Sequence, residues 1–468
     1  MSSTSEISSL LETLTASIEV FKAELVRQQL PEPSLRTSKP HPIDDPSYIP
    51  SPAMYEARRL AVGSLNCLKL IIENPAEAAL SIHADIEEVQ GLRVSTQVDL
   101  HQVLESAADP DSGESIETIA IKTKIHPLKL GAVLRFLAYR GWYREPRPGH
   151  FANSRRSHAL KKDSPGYHVV HNLCDLGYKY TAKLPEALTH PDESFRMALD
   201  VTHTAFNLAY DTDLPFFGPE SWTSKYPADA QTFALGMGGM GAGSNNGVAY
   251  DFPWVDIAKD KDAVVDVGGG QGTLCCTLAA AHPELKNFIV QDIPALQGPA
   301  DKYIASQGLS DRVKFEVQDF FQPNRRQGTG SYVFVIQKVL HDWSDEDGAK
   351  ILRQIRECLL DGKSSLVIID PVLSPATISS EAPSAKESLA ALQGKDRYEP
   401  VQPPPLLPHD FGDNWMIAHT VNIALLGLCN AFERTYASMD NMLTLAGLSI
   451  KKVNATRGYV QLTEVEVS

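Results

Sequence analysis

Val264–Leu274 reads VVDVGGGQGTL, an apolar run followed by four glycines and the opening of a helical pattern. The stretch Ala263–Val267 is apolar and β-branched apart from Asp266, which predicts a strand buried on both faces of a parallel sheet. Gly268, Gly269 and Gly270 let the chain turn tightly with no side chain between backbone and ligand, and Gly272 lets the next helix begin close to the strand. The first turn of that helix offers unpaired N–H groups to a polar or anionic ligand. The spacing is Asp-x-Gly-x-Gly-x-Gly. It differs from the Gly-x-Gly-x-x-Gly of dinucleotide binders because Thr273 stands where the last glycine would fall. The loop therefore points away from NAD and towards S-adenosylmethionine, with a purely structural turn as the competing reading.

Working outward, each following strand ends in polar residues. Asn287–Gln291 forms a second strand, and Asp292 at its end is placed to hold ribose hydroxyls. Val313–Val317 runs into Gln318-Asp319-Phe320-Phe321, where Asp319 suits the exocyclic amine of an adenine and Phe320 its ring face. Tyr332–Ile336 leads into Leu340-His341-Asp342-Trp343-Ser344-Asp345-Glu346-Asp347, and Ser365–Ile369 ends at Asp370-Pro371. Any single acid here could be a helix cap or a turn residue. Five in succession at strand ends mark the ligand edge of an open α/β sheet.

Composition is consistent with a soluble enzyme of more than one domain. The chain has 468 residues, 43% of them hydrophobic, and a net charge of −15. That acidity argues against nucleic acid, whose phosphates need a basic face. No apolar run is long enough to span a bilayer, and the N-terminus lacks the pattern of a secretory signal. The six cysteines show no Cys-x-x-Cys spacing, so reduced thiols, no metal site and a cytoplasmic location are expected.

Four segments are expected. Residues 1–30 carry Ile7, Leu10, Leu14, Ile18, Phe21 and Leu25 on one face of an amphipathic helix. Residues 31–52 hold seven prolines and read as an extended linker. Residues 53–165 contain, from 97 to 162, the pattern of a winged helix. Three short helices there (Leu100–Leu104, Ile116–Lys122 and one opened by Pro127) precede two strands around an Arg-Pro-Gly turn. Arg135, Arg140, Arg144, Arg147, Arg155 and Arg156 make a DNA reader worth considering, but overall acidity favours a structural, dimer-forming role. Residues 166–468 hold the α/β domain, interrupted at 374–410 by a Ser-, Ala- and Pro-rich insertion expected to be a surface loop.

Together, DVGGGQG, QDIP, QDFF, LHDWSDEDGAKIL, IIDPV and NAFERT resemble the plant- and fungal-type small-molecule O-methyltransferases that use S-adenosylmethionine. The segment PLKLGAVLRFLAYRGWYRE…GHFANSRRSHAL resembles their N-terminal winged-helix dimerisation domain. The resemblance implies an α/β, Rossmann-like class I methyltransferase sheet behind a mainly helical dimerisation domain, S-adenosylmethionine as cofactor and a homodimer. It implies His341 as catalytic base, flanked by Glu433 and Asp370. Cofactor contacts are expected from Asp266, Gly268, Gly270, Asp292, Asp319, Phe320 and Gln337, and contacts to a small aromatic substrate from Phe206, Met237, Met240, Trp343 and Asn430.

The chemistry suits these residues. An activated methyl group needs an oxygen nucleophile aligned with it, and a phenol with a pKa near 10 costs on the order of 4 kcal/mol to ionise at pH 7. A histidine can remove that proton during transfer. Two departures from the family pattern stand out: Gln337 and the displaced Lys338 occupy the region where relatives often place a cofactor-side Lys or Arg, and Asn422 stands where many fungal members have an acid. Phenolic O-methylation of a polyketide-like metabolite is the leading expectation. A dehydratase or pericyclase that binds the cofactor without using its methyl group is the alternative.

Overall fold

The structure, a computed structural model, describes residues 5–218, 220–378, 383–392, 394–395 and 397–468, without the side chains of 242–244, 246, 413 and 414. The C-terminal domain is built on seven strands: β1 (Ala263–Val267), β2 (Phe288–Asp292), β3 (Val313–Val317), β4 (Tyr332–Gln337), β5 (Ser365–Asp370), β6 (Leu448–Ala455) and β7 (Gln461–Val467). Their order across the sheet is β6-β7-β5-β4-β1-β2-β3. The first five run parallel, and β7 is antiparallel to both β5 and β6. The central strands are apolar throughout because both faces are covered. One face packs on Trp254, Leu274, Leu278 and Ile304, and the other on Leu352, Ile355, Met442 and Leu443. Strand order reverses between β1 and β4, so the loops after these two strands diverge and leave a crevice at their carboxyl ends.

The winged-helix pattern folds as expected. Helices Leu100–Glu105, Ile116–Thr123 and Pro127–Tyr139 enclose Leu104, Ile119, Leu134 and Leu137, and strands Glu114–Ser115, Tyr143–Arg147 and His150–Asn153 form the wing. Four of its arginines are engaged within the molecule. Arg140 pairs with Glu88 and Asp85, Arg144 with Asp111 and Arg155 with Asp44, while Arg156 stacks 4.3 Å from the Trp142 ring centroid.

The first helix, Glu6–Arg27, forms as expected and folds back on its own chain. Leu10 and Leu25 are fully buried, and the helix packs on Pro52–Ile72 of the same chain. Two expectations need correction: the proline-rich segment 31–52 is not a free extended linker. Ser38 N–H donates to Asp111 (2.8 Å), and the Ser38 carbonyl lies 2.6 Å from His158 Nε2. Nor is the 374–410 insertion a surface loop. Its helix Ala385–Ala390 and residues Leu389, Leu392, Val401 and Leu407 share one apolar core with Leu10, Ala57 and Leu60. Apolar residues dispersed among prolines carry no period, so the pattern that marks a helix face is absent there. Residues 379–382, 393 and 396 of this insertion lie outside the described residues.

Candidate active site

The glycine loop is shaped for a closely approaching ligand. Gly268, Gly270 and Gly272 have φ of +74°, +58° and +82°, a region that L side chains avoid. A Cβ at Gly268 would sit 2.7 Å from Val339 and 3.6 Å from Phe320, and one at Gly272 would sit 2.9 Å from Val290. The loop thus keeps clear the space between the ends of β1 and β4. Asp292 joins it from the end of β2: its carboxylate accepts from Gly270 N–H (2.8 Å) and Ile293 N–H (2.7 Å). Burial pushes this carboxyl above the usual carboxylate range. The acid at the second strand end and the side-chain-free glycine loop fit S-adenosylmethionine.

Asp319 follows β3 and is exposed, its carboxylate accepting from Phe321 N–H at 2.9 Å. Phe320 beside it packs edge-on to Phe321 (5.0 Å) and Trp343 (6.0 Å), which gathers three rings beside the loop. Gln337, at the end of β4, donates to Asn245 (3.1 Å) on the long helix Pro227–Tyr250. Asp266 departs from the expectation of direct cofactor contact. It is buried under the turn, where a Cβ on Gly269 would meet it at 2.6 Å, and burial raises its pKa to about 7. It supports the loop from below.

His341 lies in the short helical turn Leu340–Asp342 after β4 and is buried. Its Nδ1 is 2.9 Å from Glu433 Oε1, and since a carboxylate only accepts, Nδ1 carries the proton of this bond. The turn is set by Arg434, a residue whose role sequence reasoning missed. Its guanidinium donates to the carbonyls of Leu340 (2.6 Å) and Trp343 (2.8 Å) and to Asp345 (2.9 Å). Asn422 is also part of the machinery, accepting from Glu433 N–H at 2.9 Å. Burial alone would depress His341, but the carboxylates of Glu433, Asp342 and Asp370 outweigh it and raise its pKa to about 10.

Asp370, expected as a flanking acid, is turned towards the backbone, accepting from Lys338 N–H at 2.8 Å. Burial lifts it to about 7. Lys338 has a left-handed backbone, φ +52°, and its Nζ donates to Tyr459 OH (2.7 Å) at the β7 edge. The displaced lysine is thereby aimed along the sheet.

The expected substrate contacts divide. Trp343 packs edge-on against Phe321 (4.9 Å), and Met237 and Met240 are half-buried on the helix Pro227–Tyr250. Phe206, by contrast, is fully buried in a cluster with Tyr210, Phe216 and Trp222. Asn430 caps the helix Asp413–Cys429 with φ +51°, and its amide donates to the carbonyls of Asp200 (2.9 Å) and His203 (3.0 Å). Phe206 belongs to this aromatic core, and Asn430 ties the helix end to the segment 200–203. In sequence, a buried aromatic and a capping asparagine look the same as residues that touch a ligand. No helix among the described residues is long and apolar enough to cross a membrane, and no cluster of metal-ligating side chains occurs among them.

Residues 252–400 match the O-methyltransferase domain family. The chain is 28% identical to O-methyltransferase tpcA of Aspergillus fumigatus, covering 89% of this chain and 88% of that protein. It is 27% identical to 4-O-methyltransferase 1 of Phanerochaete chrysosporium, over 97% and 96%. Among solved structures, the complex of LepI with SAM superposes with a TM-score of 0.70 at 20% identity, covering 88% of this chain and 94% of that one. The mitomycin 7-O-methyltransferase MmcR superposes with a TM-score of 0.61 at 20% identity, over 84% and 98%. The glycine loop, the strand-end acids and these matches give the chain an S-adenosylmethionine-dependent O-methyltransferase domain, and across most of its length it resembles the fungal O-methyltransferases of secondary metabolism.

Proposed function

We propose that the enzyme methylates a phenolic hydroxyl of an aromatic, polyketide-like metabolite, with His341 as the base that takes its proton. The observation that carries this reading is the buried ion pair of His341 and Glu433, held 2.9 Å apart. Nδ1 is committed to Glu433, which leaves Nε2 to face a substrate hydroxyl. When bound, S-adenosylmethionine supplies a methyl group already activated on a sulfonium. What this chain adds is position and proton transfer. Gly268, Gly270 and Asp292 hold the cofactor, with Asp319, Phe320 and Gln337 lining the adenosyl side. Asp370 flanks the base at a distance. Met237, Met240 and Trp343 offer thioether and ring surfaces that suit a flat aromatic substrate. We further propose that the chain works as a homodimer through its winged-helix domain.

Incubating the protein with methyl-labelled cofactor and a panel of phenolic polyketides tests the reading, with product mass as readout. A gain of one methyl group is the expected result. A dehydrated or isomerised product with the cofactor intact would replace methyl transfer by the electrostatic use of the cofactor. Absence of cofactor binding in calorimetry would remove both.

A further inference from the structure

The base reading leaves one acid unused. We propose that Asp342 is the second charge partner of His341, holding the imidazolium after proton transfer and passing the proton from Nε2 to solvent. This rests on the assignment of His341 as base.

Both ring nitrogens face carboxylates, but in different ways. Glu433 sits in hydrogen-bond contact with Nδ1, whereas Asp342 Oδ1 lies 3.7 Å from Nε2. That gap is too long for a hydrogen bond, so it leaves Nε2 free to meet the substrate. It is short enough for strong charge attraction in a buried setting. In the transfer step the substrate O–H bond breaks, an Nε2–H bond forms and the oxygen keeps the electron pair. The ring is then a cation between two anions.

Exposure separates the acids. The Glu433 side chain is 1% exposed and Asp342 is 25% exposed, while Asp370 is buried and occupied by a backbone amide. Asp342 therefore links the ring to water. The other groups around the pair are Cys429, whose thiol is raised by burial and by the charge of Asp342, and Arg434, which spans the same turn. Neither offers an acceptor to Nε2.

Two variants, Asp342→Asn and Asp342→Ser, test this, and either suffices if the other folds poorly. An opposite charge within a few ångströms shifts a pKa by about 1–3 units. In the free protein, the NMR titration of the His341 ring, identified by its absence in His341→Ala, should move to lower pH by at least about one unit. The acid limb of kcat/KM should move the same way, and on the alkaline plateau, where the ring is already neutral, kcat should fall by roughly 10–100-fold with KM and cofactor affinity within about twofold. Asp342→Glu should recover much of the loss. An unchanged His341 titration midpoint, or a lost rate with an unshifted pH profile, overturns the proposal. If His341→Ala itself keeps most activity, the base assignment fails instead, and the ring titration still decides whether Asp342 governs its charge.

Discussion

At the scale of single residues, the site separates binding from proton transfer. His341→Ala should lower kcat by roughly 10²–10⁴ while calorimetry shows cofactor affinity close to that of the unaltered protein, because the ring lies beyond the glycine loop. Asp292→Ala should do the reverse. Losing a charge-assisted contact worth about 1.5–3 kcal/mol weakens cofactor binding by roughly 10–150-fold. Unchanged affinity would remove Asp292 from the cofactor site. The raised pKa of His341, about 10, also sets a pH dependence. Below that value the ring holds its proton and cannot accept another, so kcat/KM should climb through the alkaline range. A flat profile between pH 7 and 9 would contradict a buried, carboxylate-flanked base. Arg434→Lys keeps the charge but cannot serve two carbonyls and a carboxylate in one plane. It should lower kcat more than it raises KM, as steady-state rates would reveal.

At the scale of elements, the strands and their terminal acids were legible because their signals are local. A β-branched run closed by Asp292 or Asp370 needs no distant partner to be recognised. His341 and Glu433 were legible only through the family resemblance, since nothing in sequence spacing brings residues 92 apart to one ring. Arg434 and Asp342 were on the page as letters of the same motifs, but their tasks depend on which way a turn faces. The insertion was misread for a related reason: its apolar residues find partners near the opposite end of the chain. Leu389, fully buried in that shared core, makes the point testable. Leu389→Ala should destabilise the protein by about 2–5 kcal/mol, seen as a lower denaturation midpoint, whereas a surface loop would tolerate it within about 0.5 kcal/mol.

At the scale of the whole molecule, the first helix belongs to the body of its own chain. Deleting residues 1–30 should therefore strip Leu10 and Leu25 from the core and lower thermal stability. A fully stable truncated protein would show that the helix only lies against the surface. Light scattering on both forms reads the proposed dimer separately: if the winged-helix domain carries it, the truncated form should stay dimeric. The core shared by the first helices and the insertion also has a consequence for synthesis. Tyr398 donates to Glu56 across 342 positions of chain, so these helices must wait for the insertion to leave the ribosome. At about 5–20 residues per second the wait is roughly 20–70 s. During that interval the faces of Leu10, Ala57 and Leu60 that the insertion covers stay open to water, an aggregation liability confined to the time of synthesis.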